Sequence, residues 1–112
     1  MPRGKPNYID PISKRGGTFN VTQIKRLPQN PVVYFVQAEA GAIKIGNTKY
    51  LDWRMDGLQG QSPVALTLLA TMPGTRSDEF RLHAKFAEHR LHGEWFSPHP
   101  DILAEIERLN AA

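Results

Sequence analysis

The chain has 112 residues, 40% hydrophobic and 22% charged, with a formal net charge of +3. This balance indicates one compact domain with an additional arm and excludes a wholly disordered or fibrous chain. Because the chain has no cysteine, we expect no disulfide framework, no cysteine-based zinc site and no thiol nucleophile. Because it has no apolar run of the roughly 20 residues that cross a membrane, we expect no membrane partner.

Residues 1–31 are predicted to form a basic N-terminal arm. Six basic residues and one acidic residue give this arm a charge of +5, whereas residues 32–112 carry −2. Five of the nine prolines lie in the arm, so we predict that it is extended. Because the arm lacks the apolar stretch of a secretory signal, we predict a cytoplasmic protein. The arm is interpreted either as a solvated leader or as a segment that lies along a DNA backbone. In the second interpretation, the residues that contact DNA are Lys14, Arg15, Lys25 and Arg26.

Two strands are predicted to open the domain that follows. Residues 32–36 are β-branched or aromatic throughout, which is typical of a buried strand. A connection of hairpin length containing Gly41 leads to residues 43–46, where alternation places both isoleucines on one face and Lys44 on the other. The sequence therefore predicts an antiparallel pair.

Helices and one more strand make up the rest of the predicted domain. Leu51, Met55 and Leu58 recur at near-helical spacing and predict the first helix. The later elements are a strand over residues 66–70, a helix over residues 78–89 capped by Ser77, and a helix from Ser97 or Pro98. The predicted fold is α+β, with a small three-stranded, largely antiparallel sheet flanked by helices in the order β-β-α-β-α-α, over residues 32–112.

Several short motifs follow one another along this domain. Val32-Val33-Tyr34 lies on the first strand and Lys44-Ile45-Gly46 on the second. Arg54 lies on the first helix, and Glu79 lies on the second. With the runs Leu58-Gln59-Gly60-Gln61-Ser62-Pro63 and Gly93-Glu94-Trp95-Phe96, this order resembles the GIY-YIG nuclease superfamily. It is most similar to the phage and bacterial branch shared with the meiotically-up-regulated-gene domain. The resemblance covers about residues 32–109, and Lys44 stands where the superfamily has its second tyrosine.

The resemblance implies a divalent-metal-dependent DNA endonuclease or nickase that hydrolyses phosphodiester bonds. It implies that Tyr34 assists water activation, that Arg54 stabilises the developing charge, and that Glu79 holds Mg²⁺ or Mn²⁺. Our hypothesis makes Tyr34 the proton acceptor and Lys44 a positively charged phosphate clamp. His83, one helical turn after Glu79, is an alternative base.

Each of these side chains also has a structural interpretation. Tyr34 alone is typical of a core residue, and Glu79 alone is typical of an acidic residue near a helix N-terminus. Trp53 is interpreted either as a nucleic-acid contact or as a partly buried helix residue. The spacing of the four histidines fits no strong zinc pattern.

Two other functions are compatible with the sequence. The alternative to the nuclease is a non-catalytic DNA-binding module of the same fold, which the lysine at position 44 and the negative charge of residues 32–112 favour. The third is a protein-interaction module of a phage or mobile element.

Overall fold

A computed structural model describes residues 30–111 of the chain. The arm residues Lys14, Arg15, Lys25 and Arg26 lie outside the described residues. The described part divides into two compact units, one of residues 50–62 and one of residues 30–49 together with 63–111. No helix within residues 30–111 has the length and apolar character needed to span a membrane.

The larger unit contains a five-stranded sheet in which every neighbouring pair is antiparallel. Its strand order is β3-β1-β2-β5-β4, with β1 Val32–Ala38, β2 Ile43–Thr48, β3 Leu66–Pro73, β4 Arg90–His92 and β5 Trp95–Phe96. The predicted α+β class is confirmed, but the predicted three-stranded sheet is wrong. The additional strands β4 and β5 have three and two residues and are too short to show alternation in the sequence.

A hydrophobic core lies under one face of this sheet. Val33 and Phe35 of β1 lie on that face with Ile43 and Ile45 of β2, as alternation along the strands requires. The other members of the core come from β3, from β5, from the two helices of this unit and from the residue that follows the first of these helices: Ala70, Leu82, Phe86, Phe96, Ile102 and Ile106. Tyr34 is fully buried but does not belong to this cluster, because its side chain leaves β1 on the other face.

The three helices begin and end at residues that differ in part from the prediction. They are α1 Leu51–Gln61, α2 Arg76–Lys85 and α3 Pro100–Ala111. In α1 the predicted Leu51, Met55 and Leu58 are the half-buried residues, whereas the other residues of the helix are exposed.

The predicted bounds of α2 and α3 need correction. The N-cap of α2 is Thr75 and not Ser77, because the Thr75 N–H donates to the Asp78 carboxylate in a capping box. This helix ends at Lys85, and a 3₁₀ turn occupies residues 87–89. α3 begins at Pro100, since a residue that precedes a proline is kept out of the helical region and proline fits the first helical position.

Candidate active site

Tyr34 and Lys44 lie on the same face of the sheet. Tyr34 faces Gly46 in the register of β1 and β2, and Lys44 faces Val36 two pairs further along. Because facing residues share a face and faces alternate along a strand, the Tyr34 and Lys44 side chains leave the sheet on the same side. The Tyr34 ring crosses β2 at Gly46, where a methyl group would overlap the tyrosine hydroxyl.

The Lys44 ammonium is held by an acidic residue that the sequence analysis did not select. Lys44 Nζ donates a hydrogen bond of 2.8 Å to Glu94 Oε1 and lies 5.7 Å from the centre of the Trp95 ring. Glu94 sits in the turn between β4 and β5, and its carbonyl accepts a hydrogen bond from the Ile45 N–H. The short strands thus fix Glu94 beside β2.

Glu79 and His83 approach β2 from α2. They lie one helical turn apart, with 3.6 Å between Glu79 Oε2 and His83 Nε2. His83 Nε2 lies 2.9 Å from the Ile45 carbonyl, which only accepts hydrogen bonds, so this nitrogen carries a proton. A neutral His83 therefore has only Nδ1 available to accept a proton.

Glu79 and Glu94 form a carboxyl pair. Burial and the hydrogen bond and negative charge of Glu94 raise the pKa of Glu79 from 4.5 to about 7. Burial works against ionisation of Glu94 as well, but the Lys44 ammonium and the hydrogen bond from Glu79 hold the pKa of Glu94 below its usual value. Below about pH 7, Glu79 is therefore the proton donor of the pair and Glu94 is the charged acceptor.

The carboxyl pair opens onto solvent through a shallow cleft. The cleft has a volume of about 410 Å³ and is lined by Glu79, Phe80, His83, Ala84, Arg90, Gly93 and Glu94. Glu79 itself is only 5% exposed, although it lines the cleft. Arg90, on the exposed strand β4, adds a cation to the wall.

The structure brings together three of the five predicted catalytic and metal-binding residues. Lys44, Glu79 and His83 are connected through Glu94 and the backbone of Ile45. Glu94 was missed because its partners are 50 and 15 positions away in the sequence. The available signal was the Gly93-Glu94-Trp95-Phe96 motif, which contributed to the resemblance but suggested no role for the glutamate.

Arg54 and Trp53 lie on α1, in the smaller unit. Both side chains are exposed, and Trp53 makes an edge contact with Tyr50 at 5.9 Å between ring centres. The contribution of Arg54 to phosphate binding and that of Trp53 to nucleic-acid binding stay predictions.

Comparison with known proteins shows the family of the chain. The model of the T5orf172 domain matches residues 32–110, which is more than two thirds of the chain. This domain is found in phage and bacterial nuclease-like proteins. No curated protein and no solved structure matches the chain. With the match extending from β1 to the end of α3, the chain belongs to the T5orf172 domain family.

Proposed function

We propose that the chain is a GIY-YIG-like endonuclease or nickase that hydrolyses phosphodiester bonds of DNA with the help of a divalent cation. The observation that carries this proposal is the pairing of Glu79 with Glu94 beside the Lys44 ammonium at an open cleft. The nuclease-related family of the domain supports the same class of substrate.

The carboxyl pair fits Mg²⁺ or Mn²⁺. Both ions prefer hard oxygen ligands, and Mg²⁺ typically binds one or two carboxylates and keeps several water molecules. Glu79 is the residue that would hold the ion, with Glu94 as a second oxygen donor on the same cleft wall. A divalent cation bound there supplies electrostatic stabilisation of the charge that develops on the phosphate.

The remaining residues act on the phosphate and on the attacking water. Lys44 exchanges its bond to Glu94 for a phosphate oxygen, and the negative charge of Glu94 is then available to the cation. Tyr34, on the Lys44 face of the sheet, accepts the proton of the water in our first hypothesis. His83 accepts it through Nδ1 in the alternative. Arg54 adds a planar guanidinium that holds phosphate oxygens.

The second candidate function is a DNA-binding module without cleavage activity. The observation that favours it is the ion pair itself, because a lysine engaged by Glu94 replaces the second tyrosine of the superfamily. Such a module would bind DNA but leave its phosphodiester bonds intact.

Supercoiled plasmid separates the two functions. We expect the full-length protein to nick the plasmid with Mg²⁺ or Mn²⁺ and to stop when a chelator is added. A gel shift of the same DNA without nicking, at several metal concentrations, would instead establish the binding module. Nicking that persists in chelator would contradict the role assigned to the carboxyl pair.

A further inference from the structure

A cluster of two histidines and one aspartate lies outside the proposed cleft. His89 ends the 3₁₀ turn, His99 precedes α3, and Asp101 is in the first turn of α3. The two imidazole rings stack with 3.6 Å between their centres and an angle of 11° between their planes. We propose that His89, His99 and Asp101 form a second metal site that takes Zn²⁺ or a similar transition-metal ion. This inference is independent of the proposed nuclease function.

Backbone hydrogen bonds hold the two histidines in place. The Ser97 N–H donates to the His89 carbonyl at 2.8 Å, which joins the 3₁₀ turn to the segment before α3. The His99 carbonyl accepts from the N–H groups of Ile102 and Leu103, so His99 is fixed at the start of the helix. Connected elements therefore hold the backbone of the cluster in place.

The ligand atoms have separations that suit a tetrahedral ion. The distance from Asp101 Oδ2 is 3.3 Å to His89 Nε2 and 3.5 Å to His99 Nδ1, and the ligand atoms of the three residues all lie within 4.8 Å of one another. Nitrogen and oxygen ligands at about 2.0–2.1 Å from a tetrahedral Zn²⁺ lie roughly 3.3–3.4 Å apart. Because the ion must lie near the plane of each ring, both stacked imidazoles would rotate when an ion binds.

The positions of the protons decide which nitrogen atoms of the cluster can bind a metal ion. The Asp101 N–H donates to His99 Nδ1 at 3.0 Å, so this nitrogen presents a lone pair and no proton. It therefore cannot donate to Asp101 Oδ2, although the two atoms are 3.5 Å apart. The lone pair that accepts from the Asp101 N–H is the one that a metal ion would take, so binding of an ion replaces this hydrogen bond. In the same way, His89 Nε2 would exchange its contact with Asp101 Oδ2 for the ion.

The ligand types and their exposure define the class of ion. Imidazole nitrogen suits Zn²⁺, Cu²⁺ and Ni²⁺, whereas Mg²⁺ prefers oxygen ligands in octahedral geometry. The His89 side chain is mostly buried, but that of Asp101 is 66% exposed, which leaves room for a water molecule as fourth ligand. Sequence spacing did not indicate this site, because the fold brings residue 89 to residues 99 and 101.

Metal titration of the untagged, full-length protein tests the proposal. We expect one equivalent of Co²⁺ to give the visible absorption of tetrahedral coordination, and one equivalent of Zn²⁺ to remove it and raise the melting temperature. His89→Ala and Asp101→Asn should each weaken Zn²⁺ binding by at least about tenfold. Glu79→Gln, which alters the Glu79–Glu94 pair, should leave the affinity of the histidine cluster for Zn²⁺ unchanged.

His92→Ala is the matched control, because His92 is an exposed histidine on β4 outside the cluster. We expect this variant to bind Zn²⁺ as the wild type does. Absence of saturable binding by the wild type would overturn the proposal, and so would undiminished binding by Asp101→Asn. Since the Asp101 side chain is largely exposed, this variant provides the test even if His89→Ala fails to fold.

Discussion

The ring of Tyr34 lies across Gly46, its antiparallel partner on β2, so closely that the two strands leave no room for a methyl group at position 46. Glycine is required here by the close approach of a neighbouring side chain. This relationship explains why a tyrosine on β1 and an Ile-Gly pair on β2 occur together in the chain: the glycine lets the phenol lie over the strand.

Gly46→Ala should therefore destabilise the protein. We expect a loss of about 1–3 kcal/mol in the free energy of unfolding, because the added methyl displaces the Tyr34 ring or separates the strands. Gly57→Ala is the control, since nothing lies within 4 Å of a side chain at that position on α1. The control should be neutral or up to about 1 kcal/mol more stable, because alanine favours a helix. Chemical denaturation measures both, and equal stability of Gly46→Ala and wild type would refute the close approach.

The Glu79 carboxyl should make stability depend on pH. Its pKa is raised from 4.5 to about 7 in the folded protein, so the folded state keeps a proton that the unfolded state loses. The resulting stabilisation is complete below about pH 4.5 and disappears as the pH rises towards 7.

Comparison with Glu79→Gln isolates this contribution. Between pH 5 and 8 we expect the wild type to lose on the order of 1–3 kcal/mol of unfolding free energy relative to the variant, because glutamine does not ionise. Denaturation curves across this range provide the measurement. A stability difference that does not change with pH would show that Glu79 titrates alike in both states.

Lys44 should affect cleavage more than DNA affinity. If its ammonium clamps the phosphate, Lys44→Ala should lower the rate of plasmid nicking by about 100-fold, since a preorganised cation is removed from the developing charge. The dissociation constant for DNA should change by less than the rate. Lys49→Ala, which removes an exposed lysine at the end of β2, should leave the rate unchanged. Equal losses of rate and affinity in Lys44→Ala would make Lys44 an ordinary DNA contact.

The basic arm should contribute to the salt dependence of DNA binding. We expect the combined replacement of Lys14, Arg15, Lys25 and Arg26 by glutamine to make the slope of log K against log salt less steep by about 3 to 4, because each phosphate contact releases counterions. Fluorescence anisotropy at several salt concentrations measures the slope. An unchanged slope would support the alternative of a solvated leader.

The sequence predicted those parts of the fold that have long, regular patterns. β1 and β2 were located because apolar and β-branched residues extend over several positions, and the stripe of Leu51, Met55 and Leu58 gave the correct helix. Helix α2 shows the limit of this approach. Ser77 and Thr75 are both good N-caps by residue type, and only the spacing of Thr75 to Asp78 distinguishes the observed capping box.

The candidate site was harder to predict than the fold. Glu79 was selected because the family resemblance implies a metal-binding role for it, and Lys44 because it stands at the position of the second family tyrosine. Their common neighbour Glu94 has no local signal. Its position depends on a two-residue strand and a turn at Gly93, whose φ of 58° favours glycine. Side chains that meet only through such short elements are determined by tertiary contacts and not by periodicity.

The most direct test of a cation-dependent site at the Glu79–Glu94 pair is the rate of Mg²⁺-dependent plasmid nicking by Glu79→Gln. The matched control is Glu88→Gln, in which an exposed glutamate outside the cleft loses its charge. We predict that Glu79→Gln, folded as judged by circular dichroism, nicks at least about 100-fold more slowly than the wild type, whereas Glu88→Gln nicks normally. Nicking by Glu79→Gln at the wild-type rate would contradict the account.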